Sequence, residues 1–329
     1  MADDRYRFTI LRAGRLLLDG GGMFGIIPRV VWQRSVEADD KHRIELAHNC
    51  VLLEHIETGA KHLIEAGTGD KLDEKMAGIF GLDGESVDSA LRAAGHNEAD
   101  IESIILTHLH FDHAGGLTRR AREGEAPDWT ATERGDASGD RPGVKLTFPN
   151  ARIIVQEREW EDAINNDAVM TRTYYRDHLL PLEIPLASGR PRLDLHDTPE
   201  PFPTGHFPHR GEKPPTDLDQ RITQVLPGVS VFRVPGHTWG QQAVLFTGED
   251  GTPHCFAADL IPTHHHAGAA YSLAYDVEPY TSMITKGWFL AEAVKRGWTL
   301  ILDHEPGDPL YKAAPDGRGW WALEPVGRS

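Results

Sequence analysis

Cysteine is almost missing from this chain: of 329 residues, only Cys50 and Cys255 carry a thiol. Each lies in apolar, strand-like sequence and reads as a buried small hydrophobe, which excludes a disulfide framework and a thiolate-built metal site. Long apolar runs are missing as well. No stretch approaches the roughly 20 residues a membrane span requires, and the opening Met1–Arg7 is too polar and acidic for a secretory signal. The expectation is a cytoplasmic protein with no membrane partner. Positive charge is in deficit: 34 Lys and Arg stand against 50 Asp and Glu, a formal net charge of -16. That excess repels polyanions and argues against a nucleic-acid partner. The locally basic Arg119-Arg120-Ala121-Arg122 is offset by Glu123 and Glu125 and reads as the solvated face of a helix starting near Leu117. Internal repeats and low-complexity tracts are absent.

Histidine is what the chain has: 18 residues, three of them packed with a carboxylate into His108-Leu109-His110-Phe111-Asp112-His113. Imidazole nitrogen and carboxylate oxygen are ligands that Zn²⁺ and similar divalent ions accept, and a catalytic site uses some of them while leaving a position for water. The preceding Ile104-Ile105-Leu106 is short, apolar and β-branched, so it reads as a buried strand. In a strand His108 and His110 would share one face. A turn starting near Phe111 would bring Asp112 and His113 round to a neighbouring point, so that one segment feeds two adjacent metal positions. Gly115-Gly116 then permits close backbone approach.

Three further candidates occupy comparable settings. The alternating strand Val231–Val234 runs into Pro235-Gly236-His237, which stops the strand and places His237 on a turn. His254–Ala258 is a short strand ending at Asp259, and Trp298–Leu302 is another ending at Asp303-His304. Each candidate stands just past the carboxyl end of a buried strand, where open α/β sheets commonly gather ligands.

The order H-x-H-x-D-H, then G-H-T-x-G, then Asp, then His resembles the metallo-β-lactamase superfamily over residues from about Val51 to His304. The resemblance implies an α/β fold, a four-layer αβ/βα sandwich, and one domain spanning 1–329. It also implies two divalent ions, in the first instance Zn²⁺: one held by His108, His110 and His237, the second by Asp112, His113 and His304, with Asp259 bridging. Within the superfamily, His108–Gly116 looks like the version found in N-acyl-homoserine lactone lactonases. The apolar Gly21–Trp32 resembles the segment that lines the substrate pocket in those relatives, some of which pair through this region, so a homodimer is expected by resemblance. Two positions depart from the lactonase pattern. Pro262 stands where a Tyr follows the bridging Asp, and Glu65-Ala66-Gly67 stands where the family usually has Asp-Thr-Gly.

Two divalent ions can share a hydroxide whose pKa is lowered toward neutrality and can polarise a carbonyl. The expected activity is therefore hydrolysis of a small-molecule ester or lactone, with Asp112 passing a proton to the leaving group. A glyoxalase II-like thioesterase, a phosphotriesterase, a one-metal iron oxidoreductase of the persulfide dioxygenase kind and a non-catalytic scaffold are the alternatives. The full seven-residue set speaks against the last two.

Elsewhere, Glu85–Ala94 and Ser282–Arg296 carry apolar residues at helical spacing, and Arg152–Val155 reads as a strand followed by a helix from about Arg158. This alternation supports an α/β class by itself. Residues 123–144 and 195–221 are rich in Pro, Gly and charge and read as long loop excursions. In the run His264-His265-His266 adjacent side chains point different ways, so at most one imidazole is expected to reach substrate or relay a proton.

Overall fold

The computed structural model describes residues 4–130, 143–165 and 173–327. The expected excursion at 123–144 is therefore described only at its two ends. Along the chain the strands are β1 (Tyr6–Asp19), β2 (Arg43–His55), β3 (Lys61–Ile64), β4 (Ile101–Ile105), β5 (Thr118–Arg120), β6 (Val144–Leu146), β7 (Arg152–Gln156), β8 (Leu193–His196), β9 (Thr223–Leu226), β10 (Val229–Arg233), β11 (Gln242–Thr247), β12 (Pro253–Phe256), β13 (Thr299–Ile301), β14 (Leu310–Pro315) and β15 (Trp321–Pro325). Among the described residues they form one sheet ordered β1-β2-β3-β4-β7-β8, a second ordered β15-β14-β13-β12-β11-β10-β9, and the small pair β5-β6. Within the first sheet β3, β4, β7 and β8 run parallel; within the second, β12 and β13 do.

The two sheets pack face to face because their central strands are apolar on both sides. Val51, Ile64, Ile105 and Ile154 of the first sheet meet Val231, Val244, Phe256 and Ile301 of the second in a shared interlayer core. Their chain neighbours Leu52, Leu63, Ile104 and Ile153 turn outward by the period of two and pack with Val87, Leu91, Trp160 and Ala163. On the opposite side Phe232, Cys255 and Leu300 pack with Trp288, Phe289 and Leu290 of the Pro279–Arg296 helix. Helix, sheet, sheet, helix is the four-layer sandwich expected from the resemblance.

Several local expectations change. Residues 117–121 do not form a helix: Gly115–Leu117 is one tight turn, and Thr118–Arg120 becomes β5, paired with β6. The buried Lys71 ammonium donates to the carbonyls of Gly115 and Thr118, and Arg120 donates to the carbonyls of Lys71 and Leu72, so these carbonyls are committed across the chain instead of along a helix. In the Pro279–Arg296 helix Val294 is exposed and Ala293 takes the buried position. Gly21–Trp32 holds two short helices, Gly20–Phe24 and Arg29–Trp32. The second excursion starts inside β8 and includes a single turn at Leu218–Gln220.

Candidate metal centre

Four strand ends deliver the site. β4 stops at Ile105, so His108 and His110 stand on irregular backbone and not, as expected, on one face of a strand; their rings still come within 4.5 Å. Phe111–Ala114 then forms the anticipated turn, as one short helix, carrying Asp112 and His113. β10 delivers His237, β12 delivers Asp259, and β13 delivers Asp303 and His304. Close approach fixes the small residues after the first cluster: a Cβ on Gly115 would lie 2.0 Å from the Thr68 carbonyl oxygen, and one on Gly116 2.0 Å from that of Ala66.

The expected residues converge into two adjoining groups, both buried. In one, His108, His110 and His237 bring ligand atoms together; in the other, His113, Asp259 and His304 do so with Asp303, a residue the sequence reading passed over. Asp259 stands between them. Its Oδ2 lies 3.0 Å from His237 Nε2 and 3.9 Å from His108 Nε2, while its Oδ1 lies 3.2 Å from His304 Nε2 and 3.7 Å from His113 Nε2. Asp112 flanks the second group, 3.9 Å from His113 Nε2 and 3.7 Å from His304 Nε2.

Whether this set suits cations can be judged from its orphaned atoms. The Nε2 atoms of His108, His110, His113 and His304, and Oδ1 of Asp259, are buried without a hydrogen-bond partner among the described residues. A fully buried polar atom left unpaired costs about 1–3 kcal/mol, so five on the residues of this one centre require an explanation; in the first group His110 faces His237 Nε2 through Nδ1, at 3.0 Å. Three ring nitrogens are held from behind. His237 Nδ1 donates to Asp276 at 2.8 Å, His304 Nδ1 donates to the Ala47 carbonyl at 2.9 Å, and His108 Nδ1 meets the Thr107 hydroxyl at 3.0 Å. Such backing fixes the tautomer and leaves the opposite nitrogen free to ligate. Buried imidazoles and carboxylates aimed inward form a donor set that suits divalent ions.

Charge follows the same arrangement. Burial and the neighbouring imidazoles drive His108 and His110 well below the usual histidine range, keeping them neutral. Burial opposes charge on His237 and His304 too, but carboxylates outweigh it: Asp259 and Asp276 raise His237 to about 10, and Asp303 and Asp259 raise His304 to about 9. Burial works against ionisation of Asp259, yet His237, His304 and His113 hold it well below the ordinary carboxylate range.

Three supporting carboxylates were not singled out as such from sequence. Glu65, at the departure from the family pattern, accepts from the Thr107 amide at 2.8 Å and places its second oxygen 3.3 Å from His113 Nδ1. Its backbone sits at a φ of 67°, the left-handed region that a side chain rarely occupies. Glu159, fully buried, accepts from the Leu109 amide at 3.0 Å, from the Thr238 hydroxyl at 2.5 Å and from the Tyr174 hydroxyl at 3.2 Å, so one carboxylate steadies both arms of the first group. Asp276 is the third. No signal in the sequence marks Glu159: its helix opens on the charged run Glu157-Arg158-Glu159, in which one buried carboxylate cannot be told from its solvated neighbours. Replacing Glu65 with glutamine, which puts an amide N–H in reach of His113 Nδ1, is expected to weaken binding at the second group by roughly 10- to 100-fold while sparing the first. Stepwise titration with Zn²⁺ against a chromophoric chelator measures it.

The remaining expectations resolve differently. His266 is buried and committed, with Nδ1 on the Thr263 hydroxyl at 2.8 Å, Nε2 donating to the Met23 carbonyl at 2.9 Å and its ring stacked on Phe24. It ties the Thr263 hydroxyl to the Gly20–Phe24 helix. His264 pairs with Glu305 at 2.7 Å. The Pro262 carbonyl accepts from the His304 amide at 3.0 Å.

Fold and site together define an α/β sandwich with a buried histidine–carboxylate centre at the edge between its sheets. The chain belongs to the metallo-beta-lactamase superfamily, whose profile matches residues 43–281. A probable metallo-hydrolase of Mycobacterium tuberculosis is 28% identical over 203 residues, which is 59% of this chain and 51% of that protein. An N-acyl homoserine lactonase of a Bacillus species is 24% identical over 173 residues, 51% of this chain and 42% of that protein. The chain thus spans about half the length of the curated relatives it matches. Among solved structures, a probable metal-dependent hydrolase from Staphylococcus aureus superposes with a TM-score of 0.73 at 22% identity, covering 100% of both chains. A dizinc quorum-quenching lactonase bound to its product does so at 0.66 and 18% identity, covering 99% of this chain and 100% of that one.

Proposed function

We propose that this protein is a metal-dependent hydrolase that uses two divalent ions, in the first instance Zn²⁺, to cleave a small ester or lactone. The observation carrying this reading is the split of Asp259, one oxygen toward each of two buried histidine groups, in which Nε2 of His108, His113 and His304 has no hydrogen-bond partner among the described residues. His108, His110 and His237 would hold one ion, His113, His304 and Asp112 the other, with Asp259 between them; Asp303 stands behind His113, its Oδ2 3.9 Å from Nδ1. Bound divalent ions supply Lewis acidity and bring the ionisation of water toward neutral pH. The chain's own part is to hold those ligands rigidly, exclude bulk water by burial, and move a proton. Asp112, the least enclosed in donors of the set, is the group we assign to carry that proton to the leaving oxygen. Lactones head the substrate class because the relatives named above include lactonases. The low exposure of the ligands suits a small-molecule substrate.

The test is elemental analysis of the purified protein beside a hydrolysis screen over lactones, aryl esters, thioesters and phosphotriesters, with His110→Ala and Asp112→Asn in parallel. The expected result is near two zinc per chain, lactone turnover, loss of turnover in His110→Ala, and a drop of roughly 10²-fold or more in Asp112→Asn, within the range for a lost acid–base group. One iron per chain with no hydrolysis would overturn the reading in favour of redox chemistry. Full turnover in Asp112→Asn would remove its assigned role.

A further inference from the structure

Beneath the first ligand group lies a polar ladder buried in the apolar interlayer and outer cores. At its centre Gln156, the last residue of β7, is fully buried and uses every hydrogen-bonding position of its amide. Its Nε2 donates to Gln242 Oε1 at 2.6 Å and to the Thr198 hydroxyl at 2.7 Å. Its Oε1 accepts from the Thr198 amide at 3.0 Å and from Arg233 Nε at 3.2 Å. Turning the amide over would break all four bonds, so its orientation is fixed.

Both ends of the ladder stop at the bases of ligand loops. Gln242 Nε2 donates to the Leu106 carbonyl at 2.8 Å, and the Gln242 amide donates to the Thr107 carbonyl at 2.9 Å, immediately before His108. Arg233 closes β10, four residues before His237; its guanidinium is buried and is held on its far side by Asp197 at 2.9 Å and by Glu200. The first sheet supplies Gln156, the second Gln242 and Arg233, and the start of the 195–221 excursion supplies Asp197, Thr198 and Glu200. Leu106 and Val234 face apolar neighbours on each side. Nearer the ligands Glu159 ties the Leu109 amide to the Thr238 hydroxyl, so the ladder holds the bases of the two ligand arms while Glu159 holds them closer to their tips.

We infer that Gln156, Gln242 and Arg233 are positioning residues for the first ion, setting the distance between the His108–His110 loop and His237, and that the 197–200 segment acts on metal affinity through them. This rests on the two-ion reading above. The second group takes no part in the ladder, so the two ions respond differently when it is broken.

The experiment is a two-step Zn²⁺ titration against a chromophoric chelator, with the visible spectrum of the Co²⁺-loaded protein as an independent readout. It compares wild type, Gln242→Met, the gentler Thr198→Val, and a core truncation outside the ladder, Leu53→Val. Gln242→Met keeps the volume and removes the bond to Leu106; affinity for one ion is expected to fall about tenfold, the lower end for a supporting shell, with the other unchanged and the Co²⁺ spectrum altered. Thr198→Val is expected to shift the same step by a smaller factor, and Leu53→Val to lower thermal stability without moving either affinity. Wild-type affinities for both ions in Gln242→Met and Thr198→Val, whatever their thermal stability, would overturn the inference, as would equal weakening of both ions. A wild-type protein that binds fewer than two ions would overturn the two-ion reading itself, and this inference with it.

Discussion

Asp259→Asn is expected to strip metal from both positions at once. The carboxylate offers an acceptor to each group, with oxygens 3.0 Å from His237 Nε2 and 3.2 Å from His304 Nε2. An asparagine of the same shape must turn an N–H₂ donor toward one group and carries no negative charge toward either. Metal content should fall from near two per chain to below one. Turnover should fall by roughly 10³-fold, because Lewis-acid stabilisation is worth several kcal/mol and each 1.36 kcal/mol is tenfold. Elemental analysis and initial rates measure the two quantities. Retention of two ions per chain would count against a bridging Asp259.

Removing metal by chelation is the second large effect, and it should reach stability as well as activity. A ligand present at about 100 times its Kd stabilises the folded state by about 2.7 kcal/mol per site, so chelation should lower Tm by several degrees. The pH dependence of the chelated protein has a definite sign. His237 near 10 and His304 near 9 lie above the ordinary histidine value of 6.5 that the unfolded chain retains. Their contribution is complete below 6.5 and is lost as pH climbs through 9 and 10. His108 and His110, held below 6.5, contribute in the opposite sense: their share is present above 6.5 and is lost on acidification. Thermal unfolding of the chelated protein should therefore peak near pH 7 and fall toward pH 10. Metal must displace the protons on His237 and His304, so affinity for metal should rise over pH 7 to 9. A flat affinity across that interval would contradict the charge assignment.

Much of this site was legible because its ligands obey a local rule. Each of His108, His237, Asp259 and His304 follows a short apolar run within a few residues, and a strand that must be buried on both faces ends where polarity begins. Strand periodicity likewise exposed the layers: Ile104 and Ile105 belong to different cores although they are neighbours. What could not be read is what depends on contacts between distant segments. Glu65 and Glu159 look like ordinary acidic residues in the sequence, and only the fold brings the Thr107 amide and the Leu109 amide to them. Lys71 shows the same limit: only the fold buries it against the carbonyls of Gly115 and Thr118, beside residues 118–120, which form a strand where a helix was expected.

The origin of the ligands in both sheets bears on how the molecule assembles. His108, His110, Asp112 and His113 come from the chain before β7, and His237, Asp259 and His304 from the chain after β9. Neither half alone carries a complete first triad. Closing it requires contacts more than 120 residues apart, a long-range pairing that is slow because loop closure precedes its reward. A metal ion here would act as a clasp that locks only after the two sheets have docked, and its capture during refolding would time the last step of assembly.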